Sequence, residues 1–124
     1  MKQRYINVKL NVTADNSSYE TTNVTLPPDT KEIVAIGLFS KRLDQVDLRG
    51  SFKLKLGGTD VFDTETDAKI LTTNASVPVK DKLLIFPKPM DVGNRQVELM
   101  YKSTDNSLLP FAAHDVTLVL LINI

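Results

Sequence analysis

The residues able to do chemistry in this chain are few and badly placed for it. His114 is the single histidine and cysteine is absent, so a Cys–His pair cannot form and a histidine-based metal site lacks ligands. A Ser–His–Asp arrangement would have to use His114, with Asp115 beside it. The simpler reading is a polar residue at the entrance of a strand. Four carboxylates fall within Asp60-Val61-Phe62-Asp63-Thr64-Glu65-Thr66-Asp67, and the alternate oxygens of Asp63, Glu65 and Asp67 have the spacing that opens a calcium loop. The central glycine and distal glutamate of an EF-hand are missing and no helices flank the run, so a solvated hairpin rim is the preferred reading. Glycoside hydrolysis needs a pair of facing acids, yet Glu20, in a weak strand, is the one acid at an inward position. Neither catalysis nor a cofactor is expected.

Asparagine sequons at Asn11, Asn16, Asn23 and Asn74 would mark glycosylated surface in a secreted protein. Without a leader they read as polar strand faces and turns. Sugar platforms display exposed aromatic rings, whereas tryptophan is absent and Tyr5, Tyr19 and Tyr101 are scattered. A carbohydrate or cell-surface ligand remains the alternative to a purely structural role.

Fifteen basic residues balance fifteen acidic ones, and a neutral chain cannot release counterions from a nucleic acid in quantity. Met1 to Arg4 carries only two basic residues, too few for a genome-binding arm. No apolar h-region precedes Tyr5, so no cleaved signal is expected. No apolar run nears the ~20 residues that span a bilayer, so no membrane partner is expected either. The 124 residues suit one domain, 1–124, with a core of its own.

The elements that must position any site are strands. Ile6, Val8, Leu10 and Val12 alternate with polar residues, and only extended chain puts i, i+2, i+4 and i+6 on one face. Further strands are expected at Tyr19–Leu26, Lys31–Ser40, Ser51–Leu56, from Val61, weakly at Lys69–Thr72, then at Lys82–Phe86, Arg95–Lys102 and His114–Ile124. Pro27-Pro28-Asp29, Gly57-Gly58-Thr59-Asp60, Pro87-Lys88-Pro89 and Asp91-Val92-Gly93-Asn94 supply the turns. Lys41 to Arg49 breaks the alternation and reads as a short loop helix at most. Short strands without helical crossovers predict an all-β fold, an antiparallel β-sandwich of about eight strands, jelly-roll-like. An immunoglobulin-like sandwich competes, without the Cys and Trp markers of that fold.

Apolar excess is the most unusual feature. The strand at 31–40 is apolar on both faces, with Val34, Ile36 and Leu38 opposing Ile33, Ala35, Gly37 and Phe39. The last strand sets Val119 and Leu121 against Val116, Leu118, Leu120, Ile122 and Ile124. Leu108, Leu109 and Phe111 add apolar groups in an expected loop. A free antiparallel sheet should wet one face, so these residues predict a shared interface: Val34, Ile36, Leu38, Leu108, Leu109, Phe111, Val119 and Leu121.

Over its whole length, from the strand at 5–13 through the Gly57-Gly58 hairpin to the strand at 114–124, the chain resembles single jelly-roll proteins of virus and bacteriophage particles. The resemblance implies a capsid, vertex or decoration subunit located in the virion and assembled in the host cytoplasm. Its partners would be itself, as a trimer or pentamer, and other virion proteins.

Overall fold

A computed structural model describes residues 2–14, 16–21, 24–68, 83–104 and 108–124, with the side chains of 43, 63–65 and 67 also outside the description. The expected alternation builds β1 (Gln3–Val12) and β8 (His114–Asn123). They pair antiparallel in one register, Ile6 opposite Leu120, Val8 opposite Leu118 and Leu10 opposite Val116. Their common inward face is therefore fixed by the sequence period of two. Between them the chain forms β2 (Ser17–Glu20), β3 (Glu32–Phe39), α1 (Leu43–Arg49), β4 (Gly50–Leu56), β5 (Thr59–Asp67), β6 (Leu84–Asp91) and β7 (Val97–Ser103).

The strands make two four-stranded antiparallel sheets, ordered β1-β8-β3-β6 and β2-β7-β4-β5. Apart from the β4–β5 hairpin, each successive strand crosses to the other sheet. This is the strand order of a jelly roll, and it confirms the expected fold class. The core lies between the sheets. Val116, Leu118, Leu120 and Ile122 from the first sheet are fully buried, as are Phe52, Leu54, Leu56 and Leu99 from the second. Phe52 and Phe62 meet edge to face with centroids 5.0 Å apart. Burying each such aliphatic side chain contributes about 1.5–3 kcal/mol, so these rows dominate stability.

Three boundaries differ from expectation. The strand expected over Tyr19–Leu26 ends at Glu20, and Thr25 makes only an isolated bridge to Gln96. β5 extends well past Val61-Phe62, to Asp67. β6 continues through Pro87 and Pro89 instead of stopping there. It is an edge strand whose recorded pairs with β3 involve Leu84, Ile85, Met90 and Asp91; the prolines fall at the register break, where no ladder donor is needed. The weak strand expected at Lys69–Thr72, with Asn23 and Asn74, falls outside the described residues.

β3 carries the decisive irregularity. Its register against both β8 and β6 shifts between Ile33 and Ala35, a β-bulge that inserts Val34 and resets the alternation. Ile33, Ile36 and Leu38 consequently all join the core cluster. Ala35, Gly37 and Phe39 face away from it, opposite Leu121, Val119 and Thr117.

Candidate interaction surface

His114 and Asp115 are consecutive on β8, so they project from opposite faces of the sheet. His114 is buried opposite Val12, with Nδ1 2.8 Å from the Ala112 carbonyl oxygen. Asp115 is exposed and forms an ion pair with Lys9 at 3.1 Å. A His–Asp dyad from these neighbours is therefore sterically unavailable. Asp63, Glu65 and Asp67, the calcium candidates, lie on β5, but their side chains fall outside the described residues. Among the described residues, no group of three or more His, Cys, Asp or Glu could hold a metal ion. Nor is any helix there long and apolar enough to cross a membrane.

The eight residues expected to form one interface occupy three places. Ile36 and Leu38, 0% and 2% exposed, point between the sheets and cannot meet a partner. The bulge at Val34 turned them inward, and simple alternation could not register that extra residue. Leu108, Leu109 and Phe111 cluster at the end of the sandwich, beside α1. There Gln45 Nε2 donates to the Pro110 carbonyl oxygen at 2.9 Å, and Arg49 Nη2 donates to that of Leu109. The Arg49 guanidinium also lies 5.7 Å from the Phe111 ring centroid. Phe111 packs against the core while Leu108 is 84% exposed. This segment is tied to its own chain, and Arg49 and Gln45, buried polar residues that sequence reasoning passed over, do the tying.

Val119 and Leu121 sit on the outward face of the first sheet, half-buried, with Val34 half-buried at the bulge beside them. The pairing register places Tyr5, Leu121, Ala35 and Ile85 in one row across all four strands. Tyr5 and Ile85, at the two edges, are 50% and 63% exposed. The next row holds Asn7, Val119 and Gly37. Polar pairs bound the band at both ends along the strands. At one end Asn123 Nδ2 donates to Glu32 Oε1 at 2.6 Å and Gln3 Nε2 donates to Asn123 Oδ1 at 3.2 Å; at the other stands Lys9–Asp115. Sequence reasoning missed Tyr5 and Ile85 because only strand order brings them into line with Leu121.

The outward face of the second sheet is of opposite character. Glu20, Lys53, Lys55, Asp60 and Glu98 surround Met100 in a shallow groove of about 310 Å³, and Lys55 approaches Asp60 at 3.9 Å. Where β1 turns into β2, Tyr19 makes a denser polar knot. Its hydroxyl oxygen accepts the Thr13 and Ala14 N–H groups at 3.0 and 2.9 Å and the Ser17 hydroxyl at 2.8 Å. Partial desolvation pushes this phenol up, but the Ser17, Thr13 and Ala14 hydrogen bonds outweigh it and bring the pKa down to about 8. At Tyr101 burial dominates, the Asp47 charge adds to it, and the phenol is driven well above its ordinary value.

No protein family, curated protein or solved structure matches the chain.

Proposed function

We propose that the protein is a non-enzymatic structural subunit that self-assembles, a component of a virus or bacteriophage particle serving as a capsid, vertex or decoration protein. The observation carrying this reading is the apolar row Tyr5–Leu121–Ala35–Ile85 on the outward face of a jelly-roll sheet, whose end residues Tyr5 and Ile85 are 50% and 63% exposed. Strand order supplies an analogy with virion subunits, which by itself does not fix function. Tyr5, Ile85 and the half-buried Val119 and Leu121 supply the physics, since apolar groups left in solvent on one sheet face favour a partner surface over water. The partners are then further copies of the chain, joined by other virion proteins.

A second reading draws on the second sheet. Its groove, charged by Glu20, Lys53, Lys55 and Glu98 around Met100, could seat a polar ligand such as a glycan. Light scattering and native mass spectrometry at micromolar concentration separate the two. Assembly predicts a defined mass above the monomer, with closed particles or rings by negative-stain microscopy. A strict monomer that is retained on a glycan array would overturn the structural reading in favour of the module.

A further inference from the structure

We propose that the free edge of β1 is a seam between two copies of the chain. β1 of one pairs antiparallel with β1 of the other about a two-fold axis at Val8, joining the first sheets of both into one continuous sheet. The inference rests on the self-assembly reading and names the element and register that reading leaves open.

The two sheets end in β1, β6, β2 and β5, and three of these edges are unfit to take another strand. β6 carries Pro87 and Pro89, β2 holds four residues, and β5 is broken by two register shifts against β4. Proline, short length and bulges are the devices that blunt a sheet edge. β1 has none of them. Its ten residues run in one unbroken register against β8, without proline or glycine. Among the described residues, every backbone hydrogen bond of Gln3–Val12 runs to β8. An antiparallel ladder on one side engages the N–H and C=O of every second residue, so the alternate set points out along the other. The two charged groups of β1, Arg4 and Lys9, are answered by Asp29 and Asp115 of their own chain, so the edge lacks the unpaired lysine that guards many others.

The residues along β1 select a second β1 as the occupant. Opposed residues lie on the same face of a sheet, so an antiparallel β1–β1 pair must join residues of one parity. A centre at Val8 sets Ile6 against Leu10, Asn7 against Lys9 and Arg4 against Val12, each contact occurring twice as an isologous interface requires. Ile6 and Leu10 pack against the core yet stay only half-buried, because β1 has no neighbouring strand on that side. The pairing sets each beside the other, in the cross-strand contact that stabilises a sheet. On the outer face Asn7 meets Lys9, and no like charges are opposed. A centre at Lys9 would set that ammonium against its own copy, and one at Asn7 would put Arg4 on Leu10. Beyond Val12 the Tyr19 hydroxyl takes the Thr13 and Ala14 N–H groups, so the open edge ends there. Pairing from Arg4 to Val12 supplies roughly eight to ten backbone hydrogen bonds, the complement of an average interface.

The test uses the whole chain. Asn7→Lys, at an exposed position, puts an ammonium opposite Lys9 of the other copy at two contacts. It should raise the dissociation constant about tenfold, with circular dichroism unchanged. Asn7→Glu puts a carboxylate there instead and should leave the constant at or below the parent's, while Leu108→Lys, on the end loop, should not move it. Because cysteine is absent, mixing Asn7→Cys with Lys9→Cys gives a geometric readout. Directly opposed Cβ atoms lie about 4.5–5.5 Å apart, so the mixture should form an intermolecular disulfide that either variant alone, with its thiols on a diagonal, does not. Amide exchange should find the alternate N–H groups from Arg4 to Val12 protected in the assembly and open on dilution. A parent chain that is monomeric at every concentration overturns the self-assembly reading and the seam with it. An oligomeric parent in which Asn7→Lys and Asn7→Glu behave alike overturns the seam alone. So do cysteines that link without preference for the mixed pair, or β1 amides that exchange equally at all dilutions.

Discussion

Gly57 and Gly93 meet backbone to backbone: a Cβ on Gly93 would lie 2.0 Å from the Gly57 carbonyl oxygen, and one on Gly57 would lie 2.4 Å from that of Val92. Both have positive φ, 60° and 51°. The β4–β5 turn and the β6–β7 turn thus lock together, with Gly57 N–H also donating to the Gln96 carbonyl oxygen at 2.9 Å. Gly93→Ala combines left-handed strain of about 1–2 kcal/mol with a clash against backbone that cannot swing aside. Urea unfolding should show a clear loss of stability. Gly58→Ala, at φ 84° but with only the Asn94 side chain near, 3.5 Å away, should lose less.

The inward turn of β3 makes a contrast between two nearby positions. Ile36→Ala empties a fully buried site and should cost about 2–5 kcal/mol in denaturant unfolding. Val119→Thr, on the outward face, should stay within about 0.5 kcal/mol for the monomer. Equal costs would show that Ile36 is not in the core.

Arg49 and Phe111 hold the 108–113 segment on α1. Replacing Phe111 by Ala removes a partly buried ring and the cation's stacking partner, at a cost of about 1–3 kcal/mol. Arg49→Met should raise amide exchange across 108–113 selectively while β8 stays protected. Uniform deprotection of both would mean that the segment and the sandwich unfold as one.

Tyr19 gives stability a pH dependence of definite sign. Its folded pKa of about 8 lies below the 10.0 of an ordinary tyrosine, so the folded state releases the proton first. The stabilisation is complete above pH 10 and is lost as pH falls through about 8. Stability measured from pH 8 upward should therefore rise because of this group, and Tyr19→Phe should abolish that component. Ultraviolet titration should detect one early phenolate, absent in the variant.

Tyr101 is the opposite case. Its hydroxyl is buried with no hydrogen-bond partner among the described residues, close enough to Gly50 that a Cβ there would stand 2.4 Å away. Tyr101→Phe relieves an unsatisfied polar group and should be neutral or stabilising by up to about 1 kcal/mol. Gly50→Ala should destabilise. A large loss in Tyr101→Phe would reveal a partner for the hydroxyl.

Strict alternation made β1, β4, β7 and β8 legible, because a period of two with Ile6, Phe52, Val97 or Val116 in phase has only one extended solution. The run at 31–40 was recognised as a strand, but its faces were not. Apolar residues on both sides carry no phase, and the inserted Val34 leaves no mark in composition. Pro87 and Pro89 misled because a proline forbids only a ladder position, and whether β6 lies at an edge depends on the order of all the strands. For the same reason half of the candidate surface was visible: Val119 and Leu121 stood out as surplus, whereas Tyr5 and Ile85 joined them only through pairing.

The second sheet turns Glu20, Lys53, Lys55, Asp60 and Glu98 outward, whereas the first leaves Tyr5 and Ile85 bare at its two margins. Added salt should therefore weaken any contact made through the one and spare any contact made through the other.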